Sequence, residues 1–398
     1  MDSVITGTRA VSRSRYKNSY LSYFLMYNFY YLSWALFSAF ISVYLMGKGY
    51  NASQVSLVVS ASFLASMVTQ PFIGSLSDRY HYKQVNSVMF ILAAAGGLVF
   101  VMSDSLLMLL ISYSFVLLMI NGANPVMEKI ATVSPYEYGK IRIWGTIGYA
   151  LGTQVAGVIY ERISPEAIFV AFVFTMMLCV AGLLGTDVGI TPQTKEQEAD
   201  SPSVKDLLSN GKYLYFLVIL GLFIGVTNFG NTYIPTMLTY DGISAQTAST
   251  ILSVAVLCEA PLVFFAGKFM DRLSNKTLLV IAFLMVILQF ATYAFFLPMP
   301  VKIAMTLLAK HPAGMLFIMV KIKVAATIVD EKLQITALAL MMTVQNLVSI
   351  VFNNTGGRML DMYGYSATWM AGLAALVIGF VLLVFYRIPS GNDKKLFG

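Results

Sequence analysis

The sequence predicts an all-α integral membrane protein, with twelve transmembrane helices in two six-helix bundles. Three observations lead there. Of 398 residues, 58% are hydrophobic and only 11% charged, and the mean hydropathy is +0.74. A soluble domain carries about 25% charged residues. Twelve apolar runs follow one another, each near the roughly 20 residues that a helix needs to cross a bilayer. The segments GSLSDRYHYK at 74–83 and GKFMDRLSNK at 267–276 share the pattern G-x-x-x-D-R-x-x-x-K at a separation of 193 residues, about half the chain.

Residues 1–17 form a short basic tail with Arg9, Arg13, Arg15 and Lys17. The first apolar run is too long for the core of a cleavable signal. Spans are expected at 19–46, 54–77, 84–103, 105–128, 142–161 and 165–186, then at 213–239, 246–270, 277–297, 300–324, 333–356 and 366–387. The polar stretch 189–212, with TPQTKEQEADSPSVKD, separates a first bundle (1–188) from a second (213–398). A weaker repeat follows spans five and eleven, GVIYERI at 157–163 and GRMLDMYG at 357–364. Two similar halves joined by a linker suit a transporter whose halves rock about a central site.

Lys and Arg concentrate on one set of loops: the N-terminal tail, Arg79 and Lys83, Lys140, Lys195 and Lys205, Arg272 and Lys276, Lys332, and Lys394 and Lys395. The positive-inside rule then places both termini in the cytoplasm of a multi-pass protein of the cell membrane. The net charge of +7 follows from that bias and requires no nucleic-acid partner. Cys179 and Cys258 lie in apolar runs and suggest neither a disulfide nor a metal site. No Gly-rich phosphate loop followed by Lys and Ser or Thr is present, so ATP is not the expected driving force and no enzyme is expected. The expected partners are a small polar solute, protons and lipid, with no bound cofactor and a functional monomer.

The candidate site centres on Asn121 to Thr153, NGANPVMEKIATVSPYEYGKIRIWGTIGYALGT. Glu128 closes one apolar segment, and Asn121 and Asn124, seven and four residues before it, share its helical face. Arg142 opens the next segment, with Thr146, Tyr149 and Thr153 on one face. A carboxylate and a guanidinium inside a membrane are costly unless they pair or line a wet cavity. Arg suits planar bidentate hydrogen bonding, and Tyr149 adds an apolar platform. Together they would form a cup for a polyhydroxylated ligand. A purely structural ion pair is the competing reading.

The loop Gly74, Leu76, Asp78, Arg79 and Lys83 resembles the signature loop of the major facilitator superfamily, with Tyr80-His81-Tyr82 where a Gly-Arg pair is usual. Its copy at Asp271 and Arg272 extends the resemblance to the second half. QPFIGSLSD at 70–78 and YEYGKIRIWGTIGYALG at 136–152 further resemble the oligosaccharide–proton and nucleoside–proton symporters, the lactose permease branch. In that branch a fourth-helix Glu, a fifth-helix Arg and a nearby Trp bind the sugar. The resemblance carries these roles to Glu128, Arg142 and Tyr149. The second half departs from the branch, since Gln289 stands for the ninth-helix Arg and Gly314 for the acid one turn after the tenth-helix His. Lactose specificity and that family's proton circuit therefore do not transfer.

Glu259 lies in the eighth apolar run with Pro261 two residues on, placed to load and release a proton; a structural ion pair with Lys310 is the alternative. His311 beside Lys310 is either a relay or a packing residue. Asp78 and Arg79, with Gly74, Asp271 and Arg272, read as gating elements, because an Asp at a helix end can dock on a helix N-terminus across the halves. His81 reads as a solvated loop residue. Tyr27, Asn28, Tyr31, Trp34 and Ser38 make the first helix unusually polar-aromatic, and Tyr31, Trp34 and Ser38 share a face. Asn228 and Asn231, and Gln345, Asn346, Ser349 and Asn353, are amides and hydroxyls that need partners or a wet cavity. The expected function is proton-coupled symport of a neutral polar solute, a sugar, oligosaccharide or nucleoside. The alternatives are a drug–proton antiporter and a non-transporting sensor.

Overall fold

Ser and Asn side chains start six of the helices by accepting from a backbone N–H three residues on, at Ser19, Asn51, Ser105, Asn210, Ser244 and Ser274. The computed structural model describes residues 16–187, 204–270, 272–295 and 297–390, without the side chains of 70–79, 204–206, 331 and 335. The first half comprises α1 (Tyr20–Ser38), α2 (Ile41–Gly47), α3 (Ala52–Arg79), α4 (Tyr82–Val101), α5 (Leu106–Thr132), α6 (Tyr138–Arg162) and α7 (Ala167–Gly185). After the short α8 (Val204–Ser209) come α9 (Gly211–Tyr240), α10 (Ala245–Leu257), α11 (Ala260–Phe264), α12 (Ala266–Phe269), α13 (Asn275–Ala294), α14 (Met299–Ile328) and α15 (Gln334–Phe385).

Among the described residues, ten stretches are long and apolar enough to cross a membrane. One of them, α15, folds back at Gly364 (φ 74°, ψ −177°) and supplies two crossings. That conformation is open to Gly because it has no Cβ. α6 spans as far as its neighbours but carries Lys140, Arg142, Glu161 and Arg162, which lower its apolarity. The described crossings number twelve, so the described chain begins and ends on one face, the terminal face; the opposite face is the distal face.

The first span is α1 and α2, interrupted at Ala39 and Phe40. The eighth is α10 through α12, interrupted at Cys258 and Glu259. Pro261 lacks an N–H to continue the ladder from α10, which opens the chain at Glu259. Two expected helix ends move. Glu128 does not close its span, because α5 runs on to Thr132, and Arg142 does not open the next, because α6 begins at Tyr138. Apolarity stops before backbone hydrogen bonding does, so both charges sit about one turn inside.

Each half has an aromatic core. Phe37 packs against Phe100, Tyr113, Phe169 and Phe172 in the first. Trp369 packs against Phe229, Phe290 and Tyr293 in the second. The halves meet chiefly along α6 with α10 and α3 with α15, and the closest contacts crowd the distal face. There Glu161, at the end of α6, accepts from the Gln246 N–H in the first turn of α10 at 2.7 Å. Asp361, near the end of the first limb of α15, accepts from the Ala52 and Ser53 N–H groups in the first turn of α3, at 2.9 and 2.8 Å, and from the Ser53 hydroxyl. Gly157 and Gly357, one turn earlier in each repeat, let the helices touch: a Cβ would meet Ser249 Oγ at 2.1 Å and Ser56 Oγ at 2.6 Å. The weak repeat in the sequence is thus a pair of matching cross-half caps.

Candidate functional site

Between the halves lies a cavity of about 480 Å³, within the roughly 300–1,000 Å³ of small-molecule sites. α1 lends it Trp34 and Ser38; α5 lends Tyr113, Asn121, Asn124 and Pro125; α6 lends Tyr149 and Thr153. From the second half come Asn228, Asn231 and Thr232 of α9, Lys310 and His311 of α14, and Gln345 and Asn346 of α15. The wall is mostly amide and aromatic. Part of its polarity is committed to holding helices together. Asn228 donates to Ser349 at 2.6 Å, Thr232 to Asn353 at 2.8 Å, and Asn121 to Ser66 at 2.9 Å. Ser349 and Asn353 are fully buried there and do not line the space.

Glu128 and Arg142 do not form the expected pair. They are not among the residues that line the cavity, and no ion pair joins them. Glu128 instead accepts three tyrosine hydroxyls, from Tyr27 at 2.7 Å, Tyr31 at 2.8 Å and Tyr138 at 2.9 Å. α1 supplies two of these because Tyr27 and Tyr31 are one turn apart on a face turned to α5. Tyr31 therefore faces Glu128 and not the cavity, while Trp34 and Ser38 on the same stripe do line it. Asn124 joins the two, donating to the Tyr31 oxygen at 3.3 Å. The Arg142 guanidinium lies 5.7 Å from the centre of the Tyr31 ring and reaches Thr146 Oγ1 at 3.4 Å, within electrostatic reach of both Glu128 and Glu259.

Glu259, at the break in the eighth span, faces the first half. Thr146 donates to its Oε1 at 3.4 Å, and His311 Nδ1 lies 3.9 Å from Oε2. Both contacts are long for hydrogen bonds. Lys310 is not its direct partner: Lys310 Nζ donates to Asn231 Oδ1 at 2.9 Å and lies 3.1 Å from His311 Nε2. An ammonium has no lone pair to accept with, so Nε2 is the acceptor and the ring proton sits on Nδ1, toward Glu259. His311 is thereby a neutral spacer between Lys310 and Glu259. Its ring also meets Tyr149, 6.3 Å between centroids.

The gating residues are placed only in part. Gly74, Asp78 and Arg79 fall in the last turns of α3, where side chains are outside the description, and Asp271 lies outside the described residues. Arg272 is exposed. Beside it, the buried Lys323 donates to the Met270 and Leu273 carbonyls, the latter at 3.2 Å. His81 is exposed and stacks on Tyr82. Sequence reasoning missed Tyr138 as a partner of Glu128, Tyr113 as a wall residue, and the caps Glu161 and Asp361. Only the caps left a trace, in the aligned acids of the weak repeat.

The family model described as MFS_1 like family matches residues 20–371. The chain is 24% identical to a maltose permease of Geobacillus stearothermophilus over 380 residues, 92% of this chain and 95% of that one. It is 23% identical to a sucrose permease of Escherichia coli, covering 92% and 93%. Its fold is similar to that of a mutant of the nucleoside transporter NupG, with a TM-score of 0.82 at 15% identity, covering 92% of this chain and 99% of that one.

Proposed function

We propose that this chain, which belongs to the MFS_1 like family, is a proton-coupled symporter that carries a polar solute of the sugar or nucleoside kind by alternating access. That it is a multi-pass membrane transporter and not an enzyme follows from the twelve crossings and the permease relatives. The observation that carries the finer reading is Glu259, among the described residues the carboxylate that meets both halves beside the solute cavity. A group at such a junction gains or loses neighbours whenever the halves move, so its affinity for a proton follows the conformation.

Within this reading, Asn121, Asn124, Asn231, Gln345 and Asn346 supply hydrogen bonds to the solute, and Trp34 and Tyr149 supply flat apolar faces. Glu128 and Arg142 lie behind the wall, toward the terminal face, and hold Tyr31 and through it Asn124. Lys310 and His311 place the second-half side of the site. Gly74, Asp78 and Arg79, with Asp271 and Arg272, govern closure of the terminal face. With the termini cytoplasmic, the sealed distal face makes this the inward-facing state. Among the described residues, no cross-half hydrogen bond lies on the terminal side of Thr146 and Glu259.

The test is addition of maltose, sucrose or uridine to weakly buffered vesicles holding the purified protein. Symport makes the medium alkaline as solute enters. Uptake without alkalinisation, or acidification, would sink the coupling; binding without uptake would leave only a sensor.

A further inference from the structure

Among the described residues that line the central cavity, Lys310 is the one Lys or Arg, and no Asp or Glu lines it. Of the described carboxylates, Glu128 is held away from it behind Tyr27, Tyr31 and Tyr138, and Glu259 behind His311. None of the described carboxylates forms an ion pair with Lys310. An ammonium has three N–H donors. Two are engaged, by Asn231 Oδ1 and His311 Nε2, and one remains for the cavity. A cation inside a membrane with no carboxylate in direct contact is costly. Asn231 and the His311 ring fix the ammonium in place, so the missing partner must come to it.

From this geometry we infer that the solute carries one anionic group, of the carboxylate class, and that Lys310 is the residue that binds it. The inference rests on the transporter reading above and narrows its substrate class. The expectation of a neutral solute came with a cup formed by Glu128, Arg142 and Tyr149; of these only Tyr149 lines the cavity. The charge count supports an acid. Arg142 balances Glu128, so Lys310 and Glu259 remain across the neutral His311. When Glu259 takes up a proton, the charge of Lys310 is left unmatched, and an anion restores the balance. One proton and one monoanion then move together with no net charge.

Matched pairs test this on purified protein at constant ionic strength: glucuronate against glucose, and 3-phenylpropionate against 3-phenylpropanol. Binding is read by quenching of Trp34, with Trp144 and Trp369 replaced by Phe, and by thermal stabilisation. At least one acid should bind about tenfold or more tightly than its neutral partner. Lys310→Gln should bring that ratio close to one, and Lys310→Arg should restore most of it. In vesicles, a potassium diffusion potential at fixed pH should leave uptake of the preferred acid within about twofold. The inference is overturned if no acid is preferred in either pair, including the case in which nothing binds, or if Lys310→Gln leaves the ratio intact. Alkalinisation driven by glucose alone would refute the acid and leave symport standing. Acid preference without alkalinisation would do the reverse.

Discussion

Glu128 and Glu259 are both carboxylates inside the membrane, and the protein holds them in opposite ways. Glu128 accepts three short hydrogen bonds, all from its own half. Glu259 has one long hydrogen bond to the other half and a histidine nearly 4 Å away. Hydrogen bonds to a carboxylate are the strong ones, so Glu128 is built to stay still. Glu259 is built to change. A carboxylate satisfied within one half moves with it as a rigid body, whereas one that reaches across must let go.

The largest expected effect is on Glu259. Glu259→Gln keeps the shape and removes the proton site. Gradient-driven accumulation should fall at least about tenfold, a loss of about 1.4 kcal/mol of coupling. Exchange of labelled for unlabelled solute should persist, since it needs no net proton movement. Its thermal stability should hold or rise, because a poorly partnered buried charge has been removed. Paired uptake and counterflow in reconstituted vesicles separate the outcomes. If the variant still accumulates solute, the proton rides elsewhere and the contrast between the two carboxylates collapses.

Glu128→Ala should behave the other way. It strands three tyrosine hydroxyls, each worth roughly 1–3 kcal/mol when buried without a partner. Since Tyr138 is exposed, a loss of about 2–6 kcal/mol is expected from the other two. Detergent-solubilised protein should melt several degrees lower, and coupling in the surviving fraction should remain. Coupling lost without loss of stability would exchange the two roles.

Tyr27→Phe and Tyr31→Phe sharpen the comparison at smaller cost, about 1.5–3 kcal/mol each for one hydrogen bond to a charged acceptor. Tyr31 also accepts from Asn124 on the cavity wall, and Tyr27 has no such link to the wall. Tyr31→Phe should therefore shift solute affinity as well as stability, and Tyr27→Phe stability alone. Titration of both variants with the same solute checks this; equal affinities would detach Asn124 from the Glu128 cluster.

The sequence made this contrast only half visible. Hydropathy marks the spans well because burial in lipid demands apolar residues in bulk. It marks α6, expected at 142–161, more weakly than its neighbours, because charges sit near the ends of that helix and small residues dilute its apolarity. It also misplaces the two ends where helix continues into polar residues, and hence the depth of Glu128 and Arg142. That both were charges worth notice was legible from their cost in a membrane. Their partners were not: Tyr27 and Tyr31 reach Glu128 from about a hundred positions away, and only packing of α1 on α5 sets that distance. Lys310 and His311 are adjacent in sequence, but which of them faces Glu259 depends on the rotation of α14. Amides such as Asn228 and Asn231 look alike on paper, yet one ties helices together and the other fixes Lys310.

The smallest effect belongs to the other carboxylates that reach across the halves, Glu161 and Asp361, and it asks whether reaching across is what matters. Each caps the first turn of a helix in the opposite half, so each must release for the distal face to open. Asp361→Asn and Glu161→Gln keep an acceptor but lose the charge that favours a helix N-terminus, worth about 0.3–1 kcal/mol. At the upper end that is roughly a fivefold shift toward the distal-open state. The two caps share no residue, so the double variant should combine the shifts, to about 25-fold. The readout is labelling of Ile41→Cys, on the cavity wall, by an impermeant maleimide applied to the distal face, with Cys179 and Cys258 replaced. Glu128→Gln, which keeps to its own half, serves as the control and should leave labelling unchanged. If it opens the distal face as much as the cap variants do, crossing between halves is not what distinguishes these carboxylates, and the division drawn between Glu128 and Glu259 loses its physical basis.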